Sequence, residues 1–352
     1  MTAEKRAILR RVRAFAELGD DECDAVLRVL VARRGRPGDV LFREGDPGAS
    51  LMIVLEGQLV ARVRTDAGTE EEIARLGPGE VVGEMAFIDA EPRSATVSSG
   101  DVPVMVLEFT RAALGVLVRD APRVASAILR NVLFDVARRL RDAGDRLEDG
   151  AAPASVRGPV SLGRTGRALT VDQLRSLPAF AGYSDADLEL LVYIGTLRTF
   201  AAGDVLMREG THGESCFLIA SGAVAVTREG SASPIATLGP GALVGQLALL
   251  DRAPRSATVI ASLDTVTLDV QGTSFANLVR ASSPLALRFQ WQVALAGVRQ
   301  LRTATRRLTV AQTPKTALAP DGLRMLDDWD DWDDGAPGPA LELAIDPASL
   351  RR

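Results

Sequence analysis

The sequence holds only two cysteines and one histidine in 352 residues. So few soft ligands give no basis for a disulfide framework or a metal cluster. Cys23 and Cys216 also fall at unlike places in the internal repeat described below, and His212 falls in a loop. Lysine occurs only as Lys5 and Lys315, the other basic residues being arginine, and a net charge of −5 offers no general attraction to nucleic acid. No apolar run approaches the length of a membrane span, and residues 1–13 lack the apolar centre of a secretion signal. The expectation is a cytoplasmic protein with neither membrane nor DNA as partner. Nor is there a nucleophile-base pair, a metal-ligand spacing or a Walker-type loop, so no enzyme is expected.

What is present is a repeat. Gly38-Asp39-Val40-Leu41 recurs as Gly203-Asp204-Val205-Leu206, Phe15 as Phe180 and Gly57 as Gly222, all at one offset. Gly77-Pro78-Gly79 recurs as Gly239-Pro240-Gly241 and Arg93 as Arg255, at a slightly shorter one. The copies therefore differ by a small deletion in one hairpin, between Val63 and Ile73, and two homologous domains stand in tandem. Hydrophobic residues at 47% and charged residues at 25% suit two ordinary globular cores.

One stretch in each copy is dense in chemistry: VVGEMAFIDAEPRSATV over residues 81–97 and LVGQLALLDRAPRSATV over residues 243–259. Glycine opens a short helical turn whose first backbone N–H groups lack intrahelical partners and can receive an anion. An acidic residue, Glu84, follows at once, and nine positions after it Arg93 offers a permanently charged planar fork. Ala86 and Ala95 leave room beside that fork. The pattern resembles the phosphate-binding cassette of cyclic-nucleotide-binding domains, the superfamily of cAMP receptors and regulatory subunits of cyclic-nucleotide-dependent kinases. The resemblance implies that Gly83, Glu84, Met85, Ala86, Arg93, Ser94 and Ala95 form one nucleotide site, with Gly245, Gln246, Leu247, Ala248, Arg255, Ser256 and Ala257 forming the other. It implies that the Glu84 position holds ribose, the Arg93 position holds phosphate, and Ser94 lies against phosphate and base.

The fold expected is mainly β with flanking helices, an α+β arrangement of two tandem barrel or jelly-roll domains. Short apolar segments between turn signals such as Pro37-Gly38-Asp39 and Glu56-Gly57 read as strands. Val124, Ile128, Val132, Val136 and Leu140 mark a long amphipathic helix over 121–147, able to pair with a second chain in a homodimer or to pack within the tandem. The boundaries expected are a basic arm at 1–12, read as a solvated helix, domain A at 13–147, a linker at 148–172, domain B at 173–310 and an acidic tail at 311–352. That tail, with Trp329 and Trp332 among aspartates, is expected to lack a core and either to solubilise the chain or to dock on a basic groove. Trp291 reads as a core residue of the last helix.

Two features depart from the family. Gln246 stands where the first cassette has Glu84, so the second site is expected to bind weakly or not at all. No helix-turn-helix follows either copy, which argues against a DNA-binding regulator. Ser94 and Ser256 after the cassette arginines look more like the bacterial cAMP receptors, so cAMP is the expected ligand with cGMP open; it is a ligand and not a cofactor. The resemblance implies a sensor that controls a separate, unidentified protein, the alternative being an interaction scaffold that keeps the fold without ligand control.

Overall fold

The computed structural model describes residues 3–12, 15–65, 68–146, 159–165, 170–177, 180, 184–229 and 233–311. The first copy runs α1 (Ala3–Arg10), α2 (Asp20–Val29), β1 (Val31–Gly35), β2 (Val40–Phe42), β3 (Ser50–Glu56), β4 (Leu59–Arg64), β5 (Glu70–Leu76), β6 (Val81–Val82), α3 (Glu84–Asp89), β7 (Thr96–Ser99), β8 (Val104–Thr110), α4 (Arg111–Asp120) and α5 (Pro122–Arg146). The second runs β9 (Arg164–Thr165), α6 (Val171–Arg175), α7 (Asp185–Ile194), β10 (Gly195–Phe200), β11 (Val205–Met207), β12 (Ser215–Ser221), β13 (Val224–Thr227), β14 (Ala236–Leu238), β15 (Leu243–Val244), α8 (Gln246–Asp251), β16 (Thr258–Ala261), β17 (Thr265–Gln271), α9 (Gly272–Arg280) and α10 (Pro284–Ala311).

In the first copy two four-stranded antiparallel sheets, ordered β1-β8-β3-β6 and β2-β7-β4-β5, form a roll. The second repeats them as β11-β16-β13-β14 and β15-β12-β17-β10-β9. The expected barrel is thus realised as two separate sheets in each copy, with no single closed barrel among the described residues. The central strand of each roll shows why its sequence is apolar almost throughout. Met52 and Val54 of β3 enter the roll interior, while Leu51, Ile53 and Leu55 enter the core shared with the helices. In β12, Phe217 and Ile219 face the roll and Cys216, Leu218 and Ala220 face the helices. Burial on both faces removes the alternation that a half-exposed strand would show, and each large side chain so covered contributes about 1.5–3 kcal/mol.

The repeated hairpin glycine has a steric reason. Gly57 adopts φ 80°, and a Cβ there would lie 2.3 Å from the Pro103 carbonyl oxygen; Gly222 adopts φ 84°, with the Asp264 carbonyl oxygen equally close. Only glycine fits either turn. The deletion between the copies shortens one hairpin, β13 and β14 being briefer than β4 and β5.

Two expectations are corrected. The helix read as a solvated arm is docked: Leu9 and Val12 are buried, and Arg6 donates to Asp24 and, at 2.8 Å, to Asp20. The described part of the expected linker is structured, since β9 extends a sheet edge by pairing with β10, and α6 is a capped helical turn beginning at Thr170. Residues 147–158, 166–169 and the acidic stretch at 312–352 lie outside the described residues. Trp291 packs against the core as expected, partly buried, its ring standing edge-on to Phe87 of the other copy at 6.0 Å. The helix expected to pair in one of two ways packs within the tandem. Ile128, Val132 and Val136 of α5 join Val293, Ala294 and Val298 of α10 in one core.

Candidate functional site

Each cassette begins where a two-residue strand meets a glycine in the left-handed region, Gly83 at φ 80° and Gly245 at φ 85°. The reversal starts a six-residue helix that no side chain caps. All seven residues singled out in the first copy, Gly83, Glu84, Met85, Ala86, Arg93, Ser94 and Ala95, line one cavity of about 310 Å³. Their counterparts Gly245, Gln246, Leu247, Ala248, Arg255, Ser256 and Ala257 line a cavity of only about 80 Å³. Small-molecule sites usually measure about 300–1,000 Å³, a range the first cavity reaches, whereas in the second copy the equivalent space is divided between this cavity and a neighbour of about 110 Å³ that is walled by Leu140 and Gly144 of α5 and shares Leu247, Ser256 and Ala257 with it.

Arg93 is 6% exposed and tightly held. Its Nη1 donates to the Ser50 carbonyl at 2.6 Å and the Gly83 carbonyl at 3.1 Å, its Nη2 donates to the Ser50 hydroxyl at 3.1 Å, and its guanidinium lies 4.2 Å from the Phe42 ring centroid. Nε has no partner. Burial lowers the pKa of this guanidinium, which nonetheless stays charged because an arginine begins so high.

Glu84 is 1% exposed and accepts from Arg139 Nη1 at 2.9 Å through Oε1, while Oε2 has no partner. Arg139 reaches over from α5, donating also to the Val81 carbonyl. Burial pushes the Glu84 carboxyl above the usual carboxylate range, and the attraction of Arg139 offsets this only in part. Two unsatisfied polar atoms, Arg93 Nε and Glu84 Oε2, therefore belong to the same cassette, an arrangement that costs stability unless something else is there to bond. Ser94 donates to the Met85 sulfur at 3.3 Å.

The second cassette keeps the arginine and changes the rest. Arg255 donates to the carbonyls of Gly245 and Ser215, each at 2.6 Å. Gln246 donates to the amide oxygen of Gln300 at 3.1 Å, and Gln300 in turn donates to the Leu243 carbonyl. Gln300 occupies in α10 the place that Arg139 occupies in α5. An ion pair in one copy is thus a neutral amide pair in the other.

The cavity lining that is not legible in the sequence as a site includes Phe42, Arg139, Leu301 and Thr305, the last two from α10. Only for Arg139 does a signal exist, because residues 84 and 139 change together between copies to Gln246 and Gln300. Among the described residues no group of three His, Cys, Asp or Glu side chains could hold a metal ion, and no helix is long and apolar enough to cross a membrane.

A buried guanidinium beside an unpaired carboxylate oxygen, in a cavity with apolar walls such as Val82 and Leu301, suits a ligand with an anion, a hydroxyl and a flat apolar body. Fold and site together define a tandem of small-ligand receptor domains. The family model for the cyclic nucleotide-binding domain matches residues 32–121 and 197–282, and the chain belongs to that family. The tandem resemblance read from the sequence is borne out. A cAMP-dependent protein kinase regulatory subunit from Yarrowia lipolytica is 25% identical over 260 residues, covering 73% of this chain and 57% of the relative. The cyclic AMP receptor protein of Thermus thermophilus is 35% identical over 135 residues, covering 38% of this chain and 60% of that protein. Among solved structures, the regulatory domain of Toxoplasma gondii PKA with cAMP is similar at 22% identity and a TM-score of 0.31, covering 82% of this chain and 96% of that one. The chain spans about half the length of the kinase regulatory subunits it matches.

Proposed function

We propose that this chain is a non-enzymatic sensor that binds one cyclic nucleotide, cAMP in preference to cGMP, in the cavity of the first copy. The observation that carries the reading is the pair of unpartnered buried atoms, Arg93 Nε and Glu84 Oε2, in a cavity of about 310 Å³. Arg93 would take the phosphate and Glu84 the ribose hydroxyl, with Gly83, Met85, Ala86, Ser94 and Ala95 shaping the cavity. The base would lie toward α5 and α10. Relatives named as cAMP-dependent kinase regulatory subunits and as a cAMP receptor support cAMP as the ligand. The output is a change in how α5 and α10 pack, read by a separate protein; a kinase catalytic subunit is the first partner to test, given those names. Any such change is limited by the difference in the ligand's affinity for the two packings.

The Gln246–Gln300 pair and the division of the space beside it into cavities of about 80 and 110 Å³ favour a narrower role for the second copy, a closed domain that no longer takes nucleotide. Were the first copy equally insensitive, the protein would be an interaction scaffold. Thermal unfolding with and without cAMP separates the two readings, since a ligand at a hundred times its Kd stabilises the folded state by about 2.7 kcal/mol. A melting temperature that cAMP leaves unmoved would support the scaffold.

A further inference from the structure

The two copies face one another across an internal pseudo-twofold. Val136 of α5 and Gly297 of α10 occupy equivalent places in their helices, and a Cβ built on Gly297 would come within 2.9 Å of Val136 Cγ1. A residue that meets its own repeat counterpart marks the axis. Contacts on either side of it are reciprocal. Arg302 of α10 donates to both carboxylate oxygens of Asp89, through Nη2 at 3.0 Å to one of them, and Nη2 also donates to the Pro92 carbonyl at 3.0 Å. Arg141 of α5, the equivalent position, donates to both carboxylate oxygens of Asp251 and, at 3.0 Å, to the Pro254 carbonyl. Asp89 and Asp251 are the last residues of the two cassette helices.

The grip on the first copy is the more buried one. Side-chain exposures are 14% for Arg302 and 4% for Asp89, against 23% for Arg141 and 27% for Asp251. Asp89 also accepts from the Glu91 backbone N–H at 3.1 Å, across the left-handed residue Ala90 at φ 63°. Arg302 therefore fixes both ends of the loop that joins the Glu84 helix to Arg93. One residue before it, Leu301 lines the cavity, as does Thr305.

Resting on the reading of that cavity as a nucleotide site, we propose that Arg302 is a positioning residue by which the second copy governs ligand binding in the first. By holding Asp89 and Pro92 it sets the spacing between Glu84 and Arg93, so that the site is complete only with α10 seated. A buried, hydrogen-bonded charge pair of this kind is costly to break and fixes geometry, whereas its more exposed mirror image is worth less. Ligand binding and the seating of α10 are then coupled in both directions.

The test uses the full chain and cAMP in calorimetric titrations of four proteins: the parent, Arg302→Gln, Asp89→Asn and the double variant. Arg302→Gln and Asp89→Asn should each weaken cAMP by about tenfold, and the double variant no more than either alone, as expected of one shared interaction. Arg141→Gln breaks the mirror clamp and should leave cAMP affinity within about twofold of the parent, a contrast that general loosening of the helix pair would not give. If Arg302→Gln does not fold, Arg302→Lys, which keeps the charge but cannot bridge both acceptors, gives the same reading. Parent-like affinity in the Arg302 variants, or equal weakening by Arg141→Gln, would overturn the proposal. A parent chain that takes no cAMP would instead overturn the reading of the cavity itself, and the proposal with it.

Discussion

Gln246 donates to Gln300 at 3.1 Å, at the two positions where the first copy holds Glu84 against Arg139 at 2.9 Å. Both members of the pair differ between copies, so neither copy buries one charge without the other. An uncompensated buried charge of this sort costs about 3–5 kcal/mol, which explains why the two positions must change together.

Restoring both charges is the corresponding test. Gln246→Glu with Gln300→Arg should fold with near-parent stability, whereas Gln246→Glu alone should lose about 3 kcal/mol in chemical unfolding. If the amide pair is also what closes the second copy, the double variant will bind cAMP at two sites in a titration. Two sites in the parent would contradict this.

The pH dependence of stability follows from Glu84. Burial raises its pKa above the ordinary value of 4.5, with Arg139 offsetting only part of the rise. The folded chain then holds this proton more tightly than the unfolded chain, so this carboxyl's contribution falls as pH rises from about 4.5 through the folded-state value. Glu84→Gln removes that slope. Thermal unfolding from about pH 4.5 to 7 should show the parent losing stability relative to Glu84→Gln; parallel profiles would contradict it.

Close packing around the two arginines gives a paired prediction. A Cβ on Gly48 would stand 2.6 Å from Arg93 Nε and 2.8 Å from Ala86 Cβ, and one on Gly213 would stand 2.2 Å from Arg255 Cζ. Gly48→Ala should displace Arg93 and weaken cAMP by about tenfold or more, since small misplacements of a charged binding group are expensive. Gly213→Ala displaces Arg255 and should leave cAMP binding unchanged. Fluorescent-analogue competition measures both.

The cysteines report on the helix core. Both are free and buried, burial pushing the Cys216 thiol up to about 12 and the Cys23 thiol upward as well. Neither should react with iodoacetamide at about pH 8 in the folded chain, because the thiolate is the reactive form. Mass spectrometry should find no adduct until denaturant is added. Rapid labelling of Cys216 in the native state would show that its strand is not covered as described.

Sequence legibility divides along physical lines. The cassettes are readable because their residue types sit at fixed local offsets, and the rolls because turn glycines such as Gly57 and Gly222 recur. The Ser184–Asp187 capping box is readable for the same reason, its reciprocal bonds lying within one helical turn. β9 is not, since a two-residue strand at a sheet edge is specified by its partner β10 and not by its own composition. The docking of α1 is equally hidden, because Arg6 and Arg10 look like solvent-facing charges until Asp20 and Asp24 are placed beside them. Arg139, Arg141 and Arg302 are three arginines among many, distinguished only by what a folded neighbour presents to them.

The most direct measurement is a calorimetric titration of the nucleotide-stripped chain with cAMP, run beside Arg93→Ala and Arg255→Ala. The account predicts one cAMP per chain for the parent and for Arg255→Ala, and a loss of about a hundredfold in affinity for Arg93→Ala, from charge-assisted bonds worth about 3 kcal/mol. No binding by the parent, or binding that survives Arg93→Ala and disappears with Arg255→Ala, would contradict it.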